Sequence, residues 1–113
     1  MEYTVYHNPR CSKSRIALLY LDEKGKEYEV VEYLKVIPSE TEMKSILSKL
    51  DMKAEDLLRK NEAVFKEKYK GKDLSEGEWI KAMIENPKLI ERPIVIKGDK
   101  AVVARPAENI DQL

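Results

Sequence analysis

The sequence predicts an α/β protein built on one four-stranded mixed sheet, in which an all-helical insertion separates a β-α-β half from a β-β-α half. Three observations lead to this. Short β-branched and aromatic runs stand near both ends of the chain, whereas the middle carries only the three-and-four apolar spacing of amphipathic helices. A Gly98-Asp99 pair lies between two of the β-type runs, a hairpin signal. Finally, 113 residues with 42% hydrophobic and 37% charged side chains fit a single packed domain of residues 1–113 rather than a disordered chain.

Residues 2–7 read as the first strand, with Tyr3 and Val5 on one face and Thr4 and Tyr6 on the other. After the breaker pair Asn8-Pro9, Ser12 to Lys24 reads as a helix. Its apolar stripe is expected to run through Ile16, Leu19 and Tyr20, joined by Leu18 and Leu21, and Gly25 supplies a left-handed stop. Residues 27–33 form the second strand, rich in β-branched and aromatic side chains.

The insertion spans about residues 39–88. Ser39 or Thr41 can cap a helix whose Met43, Ile46, Leu47 and Leu50 fall at i, i+3, i+4 and i+7. Shorter helical pieces follow at residues 54–59 and 62–69, ended by Gly71. Ser75 and Glu78 have capping-box spacing ahead of Trp79, Ile80, Met83 and Ile84, on a helix that ends near Pro87. Residues 94–97 and 101–104 are the hairpin strands, and residues 106–111 a short terminal helix. A β-α-β crossover implies parallel strands, normally right-handed, and the hairpin adds antiparallel ones. This is the pattern of a thioredoxin-like four-stranded mixed sheet with a helical insertion; a generic α+β domain fits the same composition.

Composition excludes several functions. Twenty-one basic and 21 acidic side chains leave a formal net charge of zero, against a protein that grips nucleic acid by neutralising phosphates. One cysteine permits no internal disulfide, and with one histidine it cannot make a zinc site at the usual spacings, so no metal is expected. No run approaches a membrane span and the N-terminus lacks a signal-peptide core, so a cytoplasmic protein that does not engage membranes is expected.

The informative stretch is His7-Asn8-Pro9-Arg10-Cys11-Ser12-Lys13-Ser14-Arg15. A free cysteine is most often a small buried hydrophobe. Cys11, however, has no apolar residue within three positions except Pro9, and it falls at a strand-to-helix junction. There, unpaired backbone N–H groups and the helix dipole favour a thiolate, and Arg10, Lys13 and Arg15 add positive charge. Cys11 is therefore expected to be nucleophilic near neutral pH. The same helix start, with the hydroxyls of Ser12 and Ser14, can cradle an oxyanion. His7, four residues before the thiol, can tune it by charge or hydrogen bond, while Asn8 reads equally as a plain turn initiator. Arg92 precedes a strand, Arg105 follows one and Arg59 ends an apolar helical piece; the planar fork of arginine suits oxyanions, although most cations in so charged a chain are solvated.

Residues 6–15 resemble the active-site signature of the glutaredoxin-coupled arsenate reductase family, an arsenical-resistance family. The resemblance continues through Leu57-Leu58-Arg59-Lys60, through residues 89–95 and through Ala104-Arg105-Pro106, in the same order along nearly the whole chain. It implies a thioredoxin-like fold with a cis peptide before Pro93. It also implies that Cys11 attacks arsenate, that Arg59, Arg92 and Arg105 hold the oxyanion and its thiol adduct, and that His7 and Ser14 assist the thiolate. No cofactor is bound in such enzymes; glutathione and glutaredoxin are the external reductants and partners. The chain departs from the plasmid-borne resistance enzymes in lacking a C-terminal extension and in reading Cys-Ser-Lys-Ser, where those have Gly and Thr inside the loop. It thus resembles the shorter, chromosomal branch.

Three other functions share parts of this pattern. A glutathione-dependent thiol-disulfide reductase would use Cys11 against sulfur. A regulatory protein resembling the Spx group would bind RNA polymerase, but such redox sensors commonly carry C-x-x-C, and position 14 is serine. Monothiol iron–sulfur carriage matches only the C-x-x-S spacing.

Overall fold

The structure is a computed structural model and describes residues 2–113. The chain divides into two compact units, Met1–Val36 with Arg92–Leu113, and Ile37–Glu91.

The first unit holds the sheet. Strands β1 (Tyr3–Tyr6), β2 (Tyr28–Val31), β3 (Ile94–Lys97) and β4 (Lys100–Val103) lie in the order β2-β1-β3-β4. β1 runs parallel to β2 in the register Val5↔Val30 and antiparallel to β3 in the register Val5↔Val95; β3 and β4 are antiparallel. The sheet is therefore mixed, with the parallel pair made by the crossover helix α1 (Ser12–Glu23). The hairpin turns at Gly98, whose φ of 62° is open to glycine and costly to most side chains. Gly25, at φ 67°, ends α1 in the same conformation.

The core of this unit forms where Tyr3, Val5 and Val95 of the sheet meet Ala17 and Leu21 of α1, with Ala104 and Ile110 from the C-terminal segment. That segment is a 3-10 helix over Ala107–Gln112, tied to α1 by the Tyr20 hydroxyl, which donates to Asp111 at 2.8 Å. The buried face of α1 differs from the expected stripe. Ser14, Ala17 and Leu21 are buried, whereas Ile16 is 46% and Leu19 59% exposed. Five apolar residues in a row of six allow more than one stripe to be drawn; the small side chains of Ser14 and Ala17 let the helix approach the sheet, and that approach selects the face.

The second unit is helical. α2 (Glu40–Leu50) is capped by Ser39, not Thr41, through a capping box with Glu42, and buries Met43, Ile46 and Leu47. Residues Ala54–Leu57 form a 3-10 turn, followed by α3 (Ala63–Lys68) and α4 (Glu76–Glu85), the latter closed at its start by the Ser75–Glu78 capping box. A further carboxylate braces this unit: Glu76 accepts from the Ala54 N–H at 2.9 Å. Phe65 stacks on Trp79, with Tyr69 tilted against both. After a 3-10 turn at Pro87–Leu89, an isolated antiparallel bridge joins Leu58 to Ile90. Among the described residues, no helix is long and apolar enough to cross a membrane.

Candidate active site

Cys11 is the N-cap of α1, in extended conformation at φ −93° and ψ 122°, half-buried and unpaired with any other cysteine. Its position is set by a turn in which Asn8 takes part three times. The Asn8 carbonyl accepts the Cys11 N–H at 3.0 Å, the Asn8 side-chain oxygen accepts the Arg10 N–H at 3.0 Å, and the Asn8 N–H donates to the Ser14 hydroxyl at 3.1 Å. An Asx turn nested in a backbone turn leaves the chain between β1 and α1 little freedom. Arg15 closes it from the helix side, its Nη1 donating to the Pro9 carbonyl at 2.9 Å. Asn8 was legible only as a turn initiator, and Arg15 only as a charge; their bracing bonds are set by loop geometry that spacing does not reveal.

The electrostatics at the thiol are a contest that the anion wins. Burial pushes the Cys11 thiol up, but the Ser14 N–H, the Arg92 guanidinium and the Lys13 N–H all favour the charged sulfur, and together they hold it below the ordinary thiol range. No acidic side chain stands in the first turn of α1 to oppose them, and no side-chain capping bond of full geometry occupies the helix start. The side-chain charges of Arg10, Lys13 and Arg15 are not among the causes of this shift, Lys13 acting only through its backbone N–H; the effective cation is Arg92, remote in sequence.

His7 and Ser14 are the buried polar pair behind the loop, with Nδ1 and Oγ 2.7 Å apart. Burial lowers the His7 pKa, an effect that the Glu32 carboxylate opposes and Arg15 reinforces, so the ring is neutral at neutral pH. His7 thus presents a hydrogen-bonding ring and no charge to the loop. Ser12 is exposed in the first turn.

Two of the three arginines lie in the unit that carries Cys11. Arg92 meets the thiol, and Arg105 donates from Nη1 to the Arg92 carbonyl at 3.3 Å. The peptides Arg92-Pro93 and Arg105-Pro106 are both cis. Arg59 belongs to the helical unit. Its Nη1 donates to Glu91 at 2.7 Å, its Nε lies 3.7 Å from Glu62, and its backbone N–H donates to the Leu89 carbonyl at 2.7 Å. Glu91, 32 residues away in sequence, is a partner that no local motif indicates. Among the described residues, no group of three or more His, Cys, Asp or Glu side chains could hold a metal ion.

This arrangement places one activated thiol and an arginine at a helix start, chemistry suited to nucleophilic attack on an anionic centre. A sequence model of the ArsC family matches residues 6–113. The chain belongs to the ArsC family. Its similarity to named members extends over almost its full length. It is 42% identical over 112 residues to the arsenate reductase of Neisseria meningitidis serogroup A, covering 97% of this chain and 96% of that protein. It is 41% identical over 112 residues to the arsenate reductase of Haemophilus influenzae, covering 97% of each. Among solved structures, the arsenate reductase from Vibrio cholerae superposes with a TM-score of 0.94 at 38% identity, over 99% of this chain and 97% of that one. The fold is the thioredoxin-like fold of the ArsC family.

Proposed function

We propose that this ArsC-family protein is an oxidoreductase that reduces arsenate to arsenite with Cys11 as its only protein thiol. The observation that carries this reading is the lowered Cys11 thiol at the start of α1, held by two backbone N–H groups and Arg92. The names of the relatives supply the substrate class.

In this reading the Cys11 thiolate attacks arsenic and an arsenate oxygen leaves as water, giving a covalent S–As(V) adduct. Arg92 and Arg105 hold the oxyanion and the adduct, and Ser12 adds a hydroxyl; the same role falls to Arg59 from the family resemblance of its motif alone. A glutathione thiolate then attacks the Cys11 sulfur. The S–As bond breaks with its electron pair on arsenic, which leaves as arsenite, and the two sulfurs become a mixed disulfide. Two electrons reach arsenic, and both come from the sulfur–sulfur coupling. Glutaredoxin clears the disulfide, because the chain has no second cysteine to do so.

His7 and Ser14 assist by holding the helix start in place. Ser14 Oγ already accepts the Asn8 N–H. With the His7 proton on Nδ1, that oxygen accepts a second bond, and Ser14 is held at the helix start with its backbone N–H toward the thiolate. The experiment is a steady-state assay with arsenate, glutathione and glutaredoxin. Arsenate-dependent turnover that disappears in Cys11→Ser supports the proposal, and its absence in the wild-type protein refutes it.

A further inference from the structure

The first helix carries its most exposed large apolar side chains on the side away from the sheet. Ile16 and Leu19 are 46% and 59% exposed, although the sheet-facing positions Ser14, Ala17 and Leu21 are buried. With Ser12 they fall at i, i+4 and i+7, a single ridge on the solvent side of α1 that begins one residue after the thiol. Its surroundings are polarised. Arg10, Lys13 and Arg15 are exposed around the start of the helix, the first turn has no acidic residue, and the acids Asp22 and Glu23 are confined to the last turn.

We propose that the Ile16–Leu19 ridge of α1 is the docking surface for a protein thiol donor whose reactive sulfur is surrounded by an apolar contact area with an acidic rim. The inference rests on the proposed use of an external thiol and adds where its carrier lands. A protein interface is wide enough to reach from Cys11 to the ridge. A standard interface covers about 800 Å² on each partner, a disc of roughly 16 Å radius. Leu19 lies eight residues along α1 from Cys11, about 12 Å at the rise of an α-helix. A protein that brings its sulfur to a disulfide at Cys11 therefore covers the first two turns of α1 if it approaches from their side, and these present an apolar ridge beside a cationic rim. Burying the ridge favours the complex, and opposite charge at the rim steers and orients it. A small thiol such as glutathione itself needs no such ridge.

The reaction to be followed is disulfide exchange. The donor thiolate attacks the glutathione sulfur of the Cys11–glutathione disulfide, a new sulfur–sulfur bond forms between donor and glutathione, and the electron pair of the broken bond returns to Cys11 Sγ. Oxidised glutathione loads Cys11, so arsenate is not required, and a failure of arsenate reduction leaves this test intact. Glutaredoxin and dithiothreitol are compared as reductants of the loaded wild-type protein and of the Ile16→Glu/Leu19→Glu variant, with release of glutathione followed by intact mass. The expected result is a glutaredoxin rate at least tenfold slower in the variant and a dithiothreitol rate within twofold of wild type. Leu19→Ser alone replaces the double variant if the latter does not fold, with a smaller loss of at least threefold expected. Equal glutaredoxin rates overturn the proposal. Rates that fall together for both reductants also overturn it, because the thiol itself is then disturbed. A wild-type dimer in sedimentation that the variant abolishes assigns the ridge to a second copy of this chain instead.

Discussion

His7 Nδ1 and Ser14 Oγ face each other at 2.7 Å, both side chains buried, one at the end of β1 and the other in the first turn of α1. The pair ties the strand to the helix at the point where the reactive loop leaves one and enters the other. Ser14→Ala removes the partner of His7 Nδ1 and of the Asn8 N–H together. The expected cost is about 1–3 kcal/mol in urea denaturation. A variant as stable as wild type would show that the pair does not tie the strand to the helix.

The depressed His7 pKa makes stability depend on pH. A histidine held neutral by burial takes up its proton more readily in the unfolded chain, so stability rises with pH across the window between its lowered folded pKa and its ordinary value near 6.5. Acidification through that window weakens the wild-type protein, whereas His7→Asn, which has no ring to titrate, gives a flatter profile. Parallel profiles for the two proteins would contradict the assignment.

Arg92 is the cation that favours the Cys11 thiolate. Arg92→Met is expected to raise the thiol pKa and lower the thiolate fraction at neutral pH. The Ser14 and Lys13 N–H groups remain, so part of the depression survives. The pH dependence of iodoacetamide alkylation reads both effects, and an unchanged profile would remove Arg92 from the site.

The ion pair between Arg59 and Glu91 is partly buried and short, at 2.7 Å. A double-mutant cycle with Arg59→Ala and Glu91→Ala is expected to give a coupling of about 1–2 kcal/mol. The looser contact with Glu62 at 3.7 Å contributes less. A coupling near zero would mean that Glu91 does not hold Arg59 in solution.

The orientation of α1 is tested by two leucines two positions apart. Leu21 is fully buried and Leu19 is 59% exposed. Leu21→Ala is expected to cost roughly 2–5 kcal/mol, whereas Leu19→Ala stays within about 0.5 kcal/mol. Equal losses would restore the stripe through Leu19 that hydropathy alone suggests.

Element order and most boundaries were legible because they rest on local chemistry: the Ser75–Glu78 box, the glycines at positions 25 and 98, and the alternation Tyr3, Val5 against Thr4, Tyr6. The face of α1 was not, since apolar residues at 16, 18, 19, 20 and 21 allow several stripes and the deciding residues, Ser14 and Ala17, are small. Cys11 stood out from its cationic, non-apolar neighbourhood. The cation that acts on it, Arg92, lies 81 residues later and was reached through motif resemblance rather than spacing. The Arg59–Glu91 pair and the Asn8 bonds depend on tertiary geometry that spacing along one chain does not contain.

In the proposed reaction Cys11 and a glutathione thiol together reduce arsenic, and an outside thiol protein then restores Cys11. The most direct test of this reaction is a single turnover with arsenate and glutathione but no glutaredoxin, followed by arsenite analysis and intact mass. The expected result is one arsenite per chain and a glutathione adduct confined to Cys11. Absence of arsenite with Cys11 left unmodified, or arsenite formed equally by Cys11→Ser, would contradict it.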